Sequence, residues 1–418
     1  YYSKEDSKIC YLNLFFDISH IAEEDYVKLA NLADLLADIQ TTKSSREKLE
    51  TDIFKTTGSI NFAASTVKNY KTGELRSYLQ CRAKFTKDKA VEAMKLIDEI
   101  VKHSDPSDEK VLKMNVLESV SDFDNSILNA APSVAMDIAK AQTLDKERLN
   151  LKLLGIEKAL HIKNLKANFD ELKDAEIADY ERLMKTMFRK DGFISHYSYE
   201  ERIDELDKAI EELRSSLPSD SGYNICINKD KTKKNTKLVV SSKVYFNAIA
   251  TELDTDNDGD VEVLRQIISN DYLHTELRAK GGAYGDGLSA GVDFLAEFSF
   301  RDPHLERTLD VMRKSAEFLE GYELDQEELE KRQIASTLKF NKAYGAGQKG
   351  KLAFVRMLQG YTEEDDLKTY REILDTDLNT IKKKYLEKLR KLKDGAVAVV
   401  GPDSDDSNVS FDEVIDIR

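Results

Sequence analysis

Histidine is scarce and scattered in this 418-residue chain. Its six residues (His20, His103, His161, His196, His274 and His304) form no H-x-x-E-H or H-E-x-x-H pair. Zinc hydrolysis needs three protein ligands and an open position for water, and no local motif here supplies them, so no metal site is expected in the chain. Cysteine is equally sparse. Cys10, Cys81 and Cys226 lie far apart with no C-x-x-C spacing, which excludes a disulfide framework or a zinc ribbon. A reducing compartment is expected: cytoplasm, or an organellar matrix in a eukaryote. No G-x-S-x-G elbow is present and no cysteine has an obvious local base. No apolar run approaches the ~20 residues needed to span a bilayer, so no membrane partner is expected. Acidic residues outnumber basic ones, 78 to 63, for a net charge of −15. Repulsion from phosphates then argues against nucleic acid. The sequence opens Tyr1-Tyr2-Ser3, with neither methionine nor a signal-like segment, and reads as a piece of something longer.

What is present suffices for two packed domains. Hydrophobic residues make up 41% and charged residues 34% of the chain, the balance of a helix-rich globular protein. The sequence repeats itself once. Residues 9–18 read as a strand, 24–40 as a helix, and a short helix ends near Thr56-Thr57-Gly58. Two strands and an amphipathic helix over 87–102 follow. The second half keeps that order: strand 244–253, helix 261–278, a glycine-rich stretch 280–291, strand 294–300 and helix 303–319. At an offset of 215, Phe85 matches Phe300, Ala90 Leu305, Met94 Leu309 and Ile97 Met312; these are the inward positions of a strand end and the next helix. Helical tracts are expected over 108–189 and 200–217, and a polar linker over 220–236. The last third is read as helical from 325 to 392, with 396–400 as a buried strand. These elements predict an α+β fold of two homologous domains, 1–220 and 236–418, each a mostly antiparallel sheet packed against helices.

Three glycine- or aspartate-rich segments invite ligand readings. Asp254-Thr255-Asp256-Asn257-Asp258-Gly259-Asp260 begins like a calcium loop, but its twelfth position is Arg265 where a bidentate glutamate is required. A solvated loop capping the next helix is the better account. Gly345 to Lys351 fits the G-x-x-x-x-G-K part of a phosphate loop, but Leu352 stands where Ser or Thr should hold magnesium. Gly285, Gly287 and Gly291 miss the dinucleotide spacing. The remaining candidate is Arg278-Ala279-Lys280-Gly281-Gly282-Ala283-Tyr284. It sets a planar guanidinium and a phenol around glycines that allow close backbone approach, a combination suited to gripping a peptide carbonyl. The same residues equally suit a helix end, with Arg278 near the negative dipole, Gly281 as the cap and Tyr284 packed.

Arg278-Ala279-Lys280-Gly281-Gly282-Ala283-Tyr284-Gly285, Ser299-Phe300-Arg301-Asp302-Pro303, Lys349-Gly350 and Leu358-Gln359-Gly360-Tyr361-Thr362-Glu363 together resemble the C-terminal half of the presequence protease and falcilysin branch of the pitrilysin/insulinase peptidases. Thr56-Thr57-Gly58-Ser59-Ile60 extends the resemblance weakly into the first half. The resemblance implies a zinc metalloendopeptidase that degrades short unfolded peptides in an enclosed chamber, built from four homologous α+β domains. Its H-x-x-E-H zinc site would lie in the N-terminal half, which this chain lacks and would need as partner. By residue-level match, Tyr284 would be the catalytic residue, with Arg278, Gly281, Gly282 and Tyr284 binding substrate. Alone, the chain is expected to be inactive. The rival expectation is a non-catalytic peptide-binding or scaffold subunit paired with a separate zinc-bearing chain.

Overall fold

The computed structural model describes residues 1–219, 234–254, 258–403 and 408–418, with Asn341 as backbone only. Two compact units are formed, the first by Tyr1–Asp124, Leu149–Lys229 and Tyr344–Gly360, the second by Asn125–Arg148, Asp230–Ala343 and Tyr361–Arg418. The linker expected over 220–236 and Cys226 fall largely or wholly outside the described residues.

The first unit is built on a five-stranded sheet: β1 (Tyr2–Lys4), β2 (Cys10–Asp17), β3 (Ser59–Lys68), β4 (Leu75–Phe85) and β5 (Ile194–Tyr199), ordered β1-β5-β2-β4-β3. β1 and β5 run parallel and the other pairs antiparallel. On one face Leu12, Leu14 and Phe16 of β2 join the main core with Leu29 and Leu32 of the Tyr26–Leu35 helix and Ile97 of the Ala90–His103 helix. On the other, Phe15 meets Phe354 of the Gln348–Leu358 helix, ring centroids 5.2 Å apart. Burial on both faces is why β2 is mostly apolar on both sides, Asn13 and Asp17 apart, instead of alternating.

That helix accounts for two of the three glycines of the near-miss phosphate loop, Gly347 and Gly350. A Cβ on Gly350 would strike Ser198 Oγ and come within 3.0 Å of Ser3 Cβ, and Gly347 takes φ +78° against the Tyr11 ring. The glycines serve close packing of helix on sheet. His196 stacks on Phe354 at 4.8 Å and contacts Ser3 Oγ through Nε2 at 2.9 Å; burial pushes its imidazole down to about 4.

The second unit contains β6 (Thr236–Val239), β7 (Phe246–Glu252), β8 (Gly285–Ala290), β9 (Phe294–Phe300), β10 (Ala396–Gly401) and β11 (Glu413–Asp416), ordered β11-β6-β10-β7-β9-β8. β10 pairs parallel with β6 and antiparallel with β7, and β7-β9-β8 continue antiparallel. Without β11, the order and sense of every pair repeat those of the first sheet. Three of the four pairs matched at the 215-residue offset are buried in both units, Ala90 and Leu305, Met94 and Leu309, Ile97 and Met312, whereas Phe85 is buried and its match Phe300 only partly so. The α+β repeat is therefore a property of the fold. Several expected helices differ: the one read over 24–40 ends at Leu35, and the tract read over 325–392 is not helical over 342–347. Residues 303–319 form two short helices, Glu306–Met312 and Ser315–Gly321, broken at Arg313-Lys314.

Asp258 accepts a hydrogen bond from the Asp260 N–H at 2.7 Å and caps the Gly259–Ile267 helix. The Lys384 ammonium bonds both Asp260 and Asp258, the latter at 3.0 Å, so a side-chain cation already pairs with Asp258, one of the carboxylates that the calcium reading would have used. Thr255, Asp256 and Asn257 lie outside the described residues.

The sheet of the second unit also buries a carboxyl group. Glu297 of β9 is 0% exposed, and its cross-strand neighbours are Ile249 and Leu288. Burial pushes its carboxyl up to about 8, with the Ser315 hydroxyl acting in the opposite direction. The folded chain then holds a proton that the unfolded chain releases. Stability contributed by this site is complete below the ordinary glutamate range and is lost as pH rises through about 8. Glu297→Gln is expected to raise the melting temperature by a margin that widens from pH 5 to pH 8.5. Thermal denaturation of both proteins across that range checks it. A margin independent of pH would mean that Glu297 does not hold the proton.

Candidate functional site

The helix leading into the glycine-rich stretch changes its winding. Gly259–Ile267 is α-helical, and Ile268–Ala279 continues it as a π-helix. The buried residues Ile268, Leu273 and Leu277 fall at intervals of five and four, wider than the 3.6-residue α-period and in keeping with the wider coil. Side chains hold the wider coil in place. Ser269 Oγ accepts from the Leu288 N–H of β8 at 2.9 Å, and Tyr272 donates to the Val311 carbonyl at 2.8 Å. Asp271 receives Arg332 through two nitrogens, at 2.5 and 3.1 Å, and the Tyr322 hydroxyl at 2.7 Å.

After the π-helix the chain reverses into β8, the edge strand of its sheet. The Gly282 N–H reaches the Arg278 carbonyl at 3.0 Å and the Ala283 N–H the Leu277 carbonyl at 2.9 Å. Gly282, at φ +82°, takes the left-handed conformation, so the expectation that Gly281 is the cap is corrected by one residue. Gly281 is needed for a different reason. A Cβ there would lie 2.5 Å from the Leu277 carbonyl oxygen and strike Arg307, whose Nη2 donates to the Glu276 carbonyl at 2.9 Å.

This turn brings Arg278 and Tyr284 together. The Arg278 guanidinium carbon stands 5.8 Å from the centre of the Tyr284 ring. Tyr284 is 64% exposed, so it is not the packed residue of the helix-end reading. Its ring meets Phe300 in an edge-type pair with centroids 5.6 Å apart, and its N–H bonds the Phe300 carbonyl at 3.0 Å. Its hydroxyl has no hydrogen-bond partner among the described residues. Arg301, to which sequence reasoning gave no role, lies 6.0 Å from the same ring and 5.3 Å from Phe300. Behind them, burial raises the Asp286 carboxyl above the usual aspartate range, opposed by His274 and Arg278. The arrangement offers two guanidinium groups and a free phenol to solvent. It can donate hydrogen bonds to a carbonyl or carboxylate. Among the described residues no group of three His, Cys, Asp or Glu could hold a metal ion, and no helix is long and apolar enough to cross a membrane.

Comparison with known proteins places both halves. The family of regions associated with peptidase M16, subfamily C, matches residues 2–165, and one described as "PreP C-terminal domain" matches residues 235–400. The chain is 28% identical over 383 residues to Protein HypA of Clostridium perfringens, covering 90% of this chain and 39% of that protein. It is 23% identical over 415 residues to presequence protease 1, chloroplastic/mitochondrial, of Arabidopsis thaliana, covering 97% and 38%. It thus spans about two fifths of the length of these relatives. Among solved structures, the peptidase M16 inactive domain of Pseudomonas fluorescens superposes with a TM-score of 0.62 at 14% identity, covering 98% of this chain and 96% of that one.

The tightness of the turn is itself measurable. Gly281→Ala puts a methyl group against the Leu277 carbonyl and is expected to cost about 1–3 kcal/mol, read as a lowered midpoint of urea denaturation. An unchanged midpoint would show that the turn tolerates a Cβ.

Proposed function

This chain belongs to the pitrilysin/insulinase-family peptidases, as their C-terminal half, and from that premise we propose that it supplies the substrate grip for peptide hydrolysis carried out with a separate zinc-bearing half. The observation that carries this reading is the exposed Tyr284, whose hydroxyl has no hydrogen-bond partner among the described residues and whose ring is flanked by the Arg278 guanidinium at 5.8 Å. Zinc, where the family uses it, would be held by the partner half, since the residues described here do not fit it.

Tyr284 acts as a hydrogen-bond donor to the oxygen of the scissile carbonyl as negative charge develops there. A donor fixed before the reaction stabilises that charge without reorganising at the moment it forms. Arg278 anchors the peptide backbone through its planar fork of donors. Gly281 and Gly282 act through the turn, holding both side chains outward and leaving room for a peptide to approach the backbone. The substrates are short unfolded peptides, and the chain by itself does not cleave them.

The test is peptidase activity of this chain with zinc against a pool of short unstructured peptides, alone and after adding the zinc-bearing half. Activity is expected only in the mixture. There Tyr284→Phe should lower kcat by ~100-fold or more, the loss of one oxyanion donor, with a smaller change in KM. Unchanged turnover would remove Tyr284 from catalysis. Peptide binding by this chain with silence in every mixture would favour the scaffold subunit.

A further inference from the structure

We infer that Arg301 is a second substrate-positioning residue, which forms with Arg278 and Tyr284 a seat for a carboxylate group on the bound peptide. The inference rests on the peptide-holding reading of the second unit and adds to it both a residue and a ligand chemistry.

The first observation is conformational. Arg301 has φ +48°, and it is the one non-glycine residue with a positive φ among those described. That region is disfavoured by any side chain with a Cβ, and glycine is its default occupant. The backbone on either side leaves no freedom to escape it. Asp302 exchanges two hydrogen bonds with Tyr245, at 2.7 and 2.8 Å, and its carboxylate accepts from the His304 N–H at 2.9 Å and the Thr308 hydroxyl at 2.8 Å. On the other side the Phe300 carbonyl is held by Tyr284. A residue kept in a disfavoured conformation, with an exposed side chain, points to a use for that side chain.

The second observation is electrostatic. Neighbouring cations are engaged: Lys280 by Glu276 at 2.6 Å, Arg307 by the Glu276 carbonyl, Arg332 by Asp271. Arg278 and Arg301 have no carboxylate within 4.0 Å among the described residues, in a chain with 78 acidic residues. Both rest on the one Tyr284 ring, at 5.8 and 6.0 Å. Two like charges sharing one ring repel, and an anion received between them relieves that repulsion. Guanidinium forks match the two oxygens of a carboxylate, and the phenol adds a further donor. The carboxylate can be the C-terminus of the peptide or an acidic side chain.

The experiment is fluorescence anisotropy on this chain with one labelled unstructured peptide in four versions: free C-terminus or amide, central Glu or Gln. Arg301→Gly is the informative variant, because it relieves the backbone and should leave the melting temperature unchanged or higher. It is expected to weaken binding of carboxylate-bearing peptides by about 10-fold while leaving the doubly neutral version nearly unaffected. Arg301→Lys should restore part of the loss. Whichever neutral replacement reproduces the effect in the native chain identifies the source of the carboxylate. If Arg301→Gly binds all four versions as the native chain does while Arg278→Ala weakens them, the inference is overturned and the peptide-holding reading stands. If the native chain binds none, or neither Arg278→Ala nor Tyr284→Ala changes binding, both fall together.

Discussion

The second unit depends on one reversal, in which a widened helix folds back onto an edge strand through a space too small for a Cβ. The bond from the Ala283 N–H to the Leu277 carbonyl closes it at 2.9 Å. Both of those residues are buried, Leu277 at 0% and Ala283 at 3% exposure. The next residue after each, Arg278 and Tyr284, therefore faces solvent. The six-residue spacing of the arginine and tyrosine follows from the hydrogen bond that pins the residues before them. Gly281 makes the approach sterically possible and Gly282 supplies the left-handed turn. Lengthening or filling this loop would separate two side chains that no direct hydrogen bond holds together.

The first unit shows what the same architecture does without that device. Its Arg46–Thr56 helix also returns into a strand at the sheet edge, β3, and the Gly58 N–H bonds the Lys84 carbonyl at 2.8 Å near the end of β4. The turn there is short. Thr57 is buried and spends its hydroxyl on the Ile53 carbonyl at 3.0 Å. The same strand order is thus compatible with a closed turn in one unit and an open, cation-bearing one in the other. The difference lies in a few loop residues and in the π-helix before them, not in the sheet.

Much of this was legible in the sequence, for identifiable reasons. The repeat was visible because strand ends and the following helices bury equivalent positions, as with Met94 and Leu309. Arg278, Gly281, Gly282 and Tyr284 suited a helix end as well as a peptide grip on local chemistry, and the resemblance of the whole stretch to the family singled them out. What escaped depended on long-range placement. Ile194–Tyr199 joins the first sheet far from its partners in sequence, its polar Ser195, His196 and Ser198 masking a strand that β2 and β1 complete. The π-helix escaped because a helical pattern is recognised at the α-period. Arg301 escaped because nothing in a side chain's identity announces the backbone angle it will be given.

On the proposed reading, the charge of the chain and the charge of its site have opposite signs, and this has a consequence for which peptides fit. The excess of acidic residues attracts basic peptides over distance, although at physiological ionic strength such attraction fades beyond roughly 8 Å. At the site the nearest free charges are guanidinium groups. Their forks reach only what is already in contact. A peptide with basic residues along its length and a carboxylate at one point is drawn by the first field and oriented by the second. A uniformly acidic peptide would meet repulsion before it reached the arginines, and a purely basic one would arrive without an anchor. Selection by the site then concerns where charge sits along the peptide more than how much of it there is. It requires no reading of individual side-chain shapes, as suits a site whose ligands are unfolded.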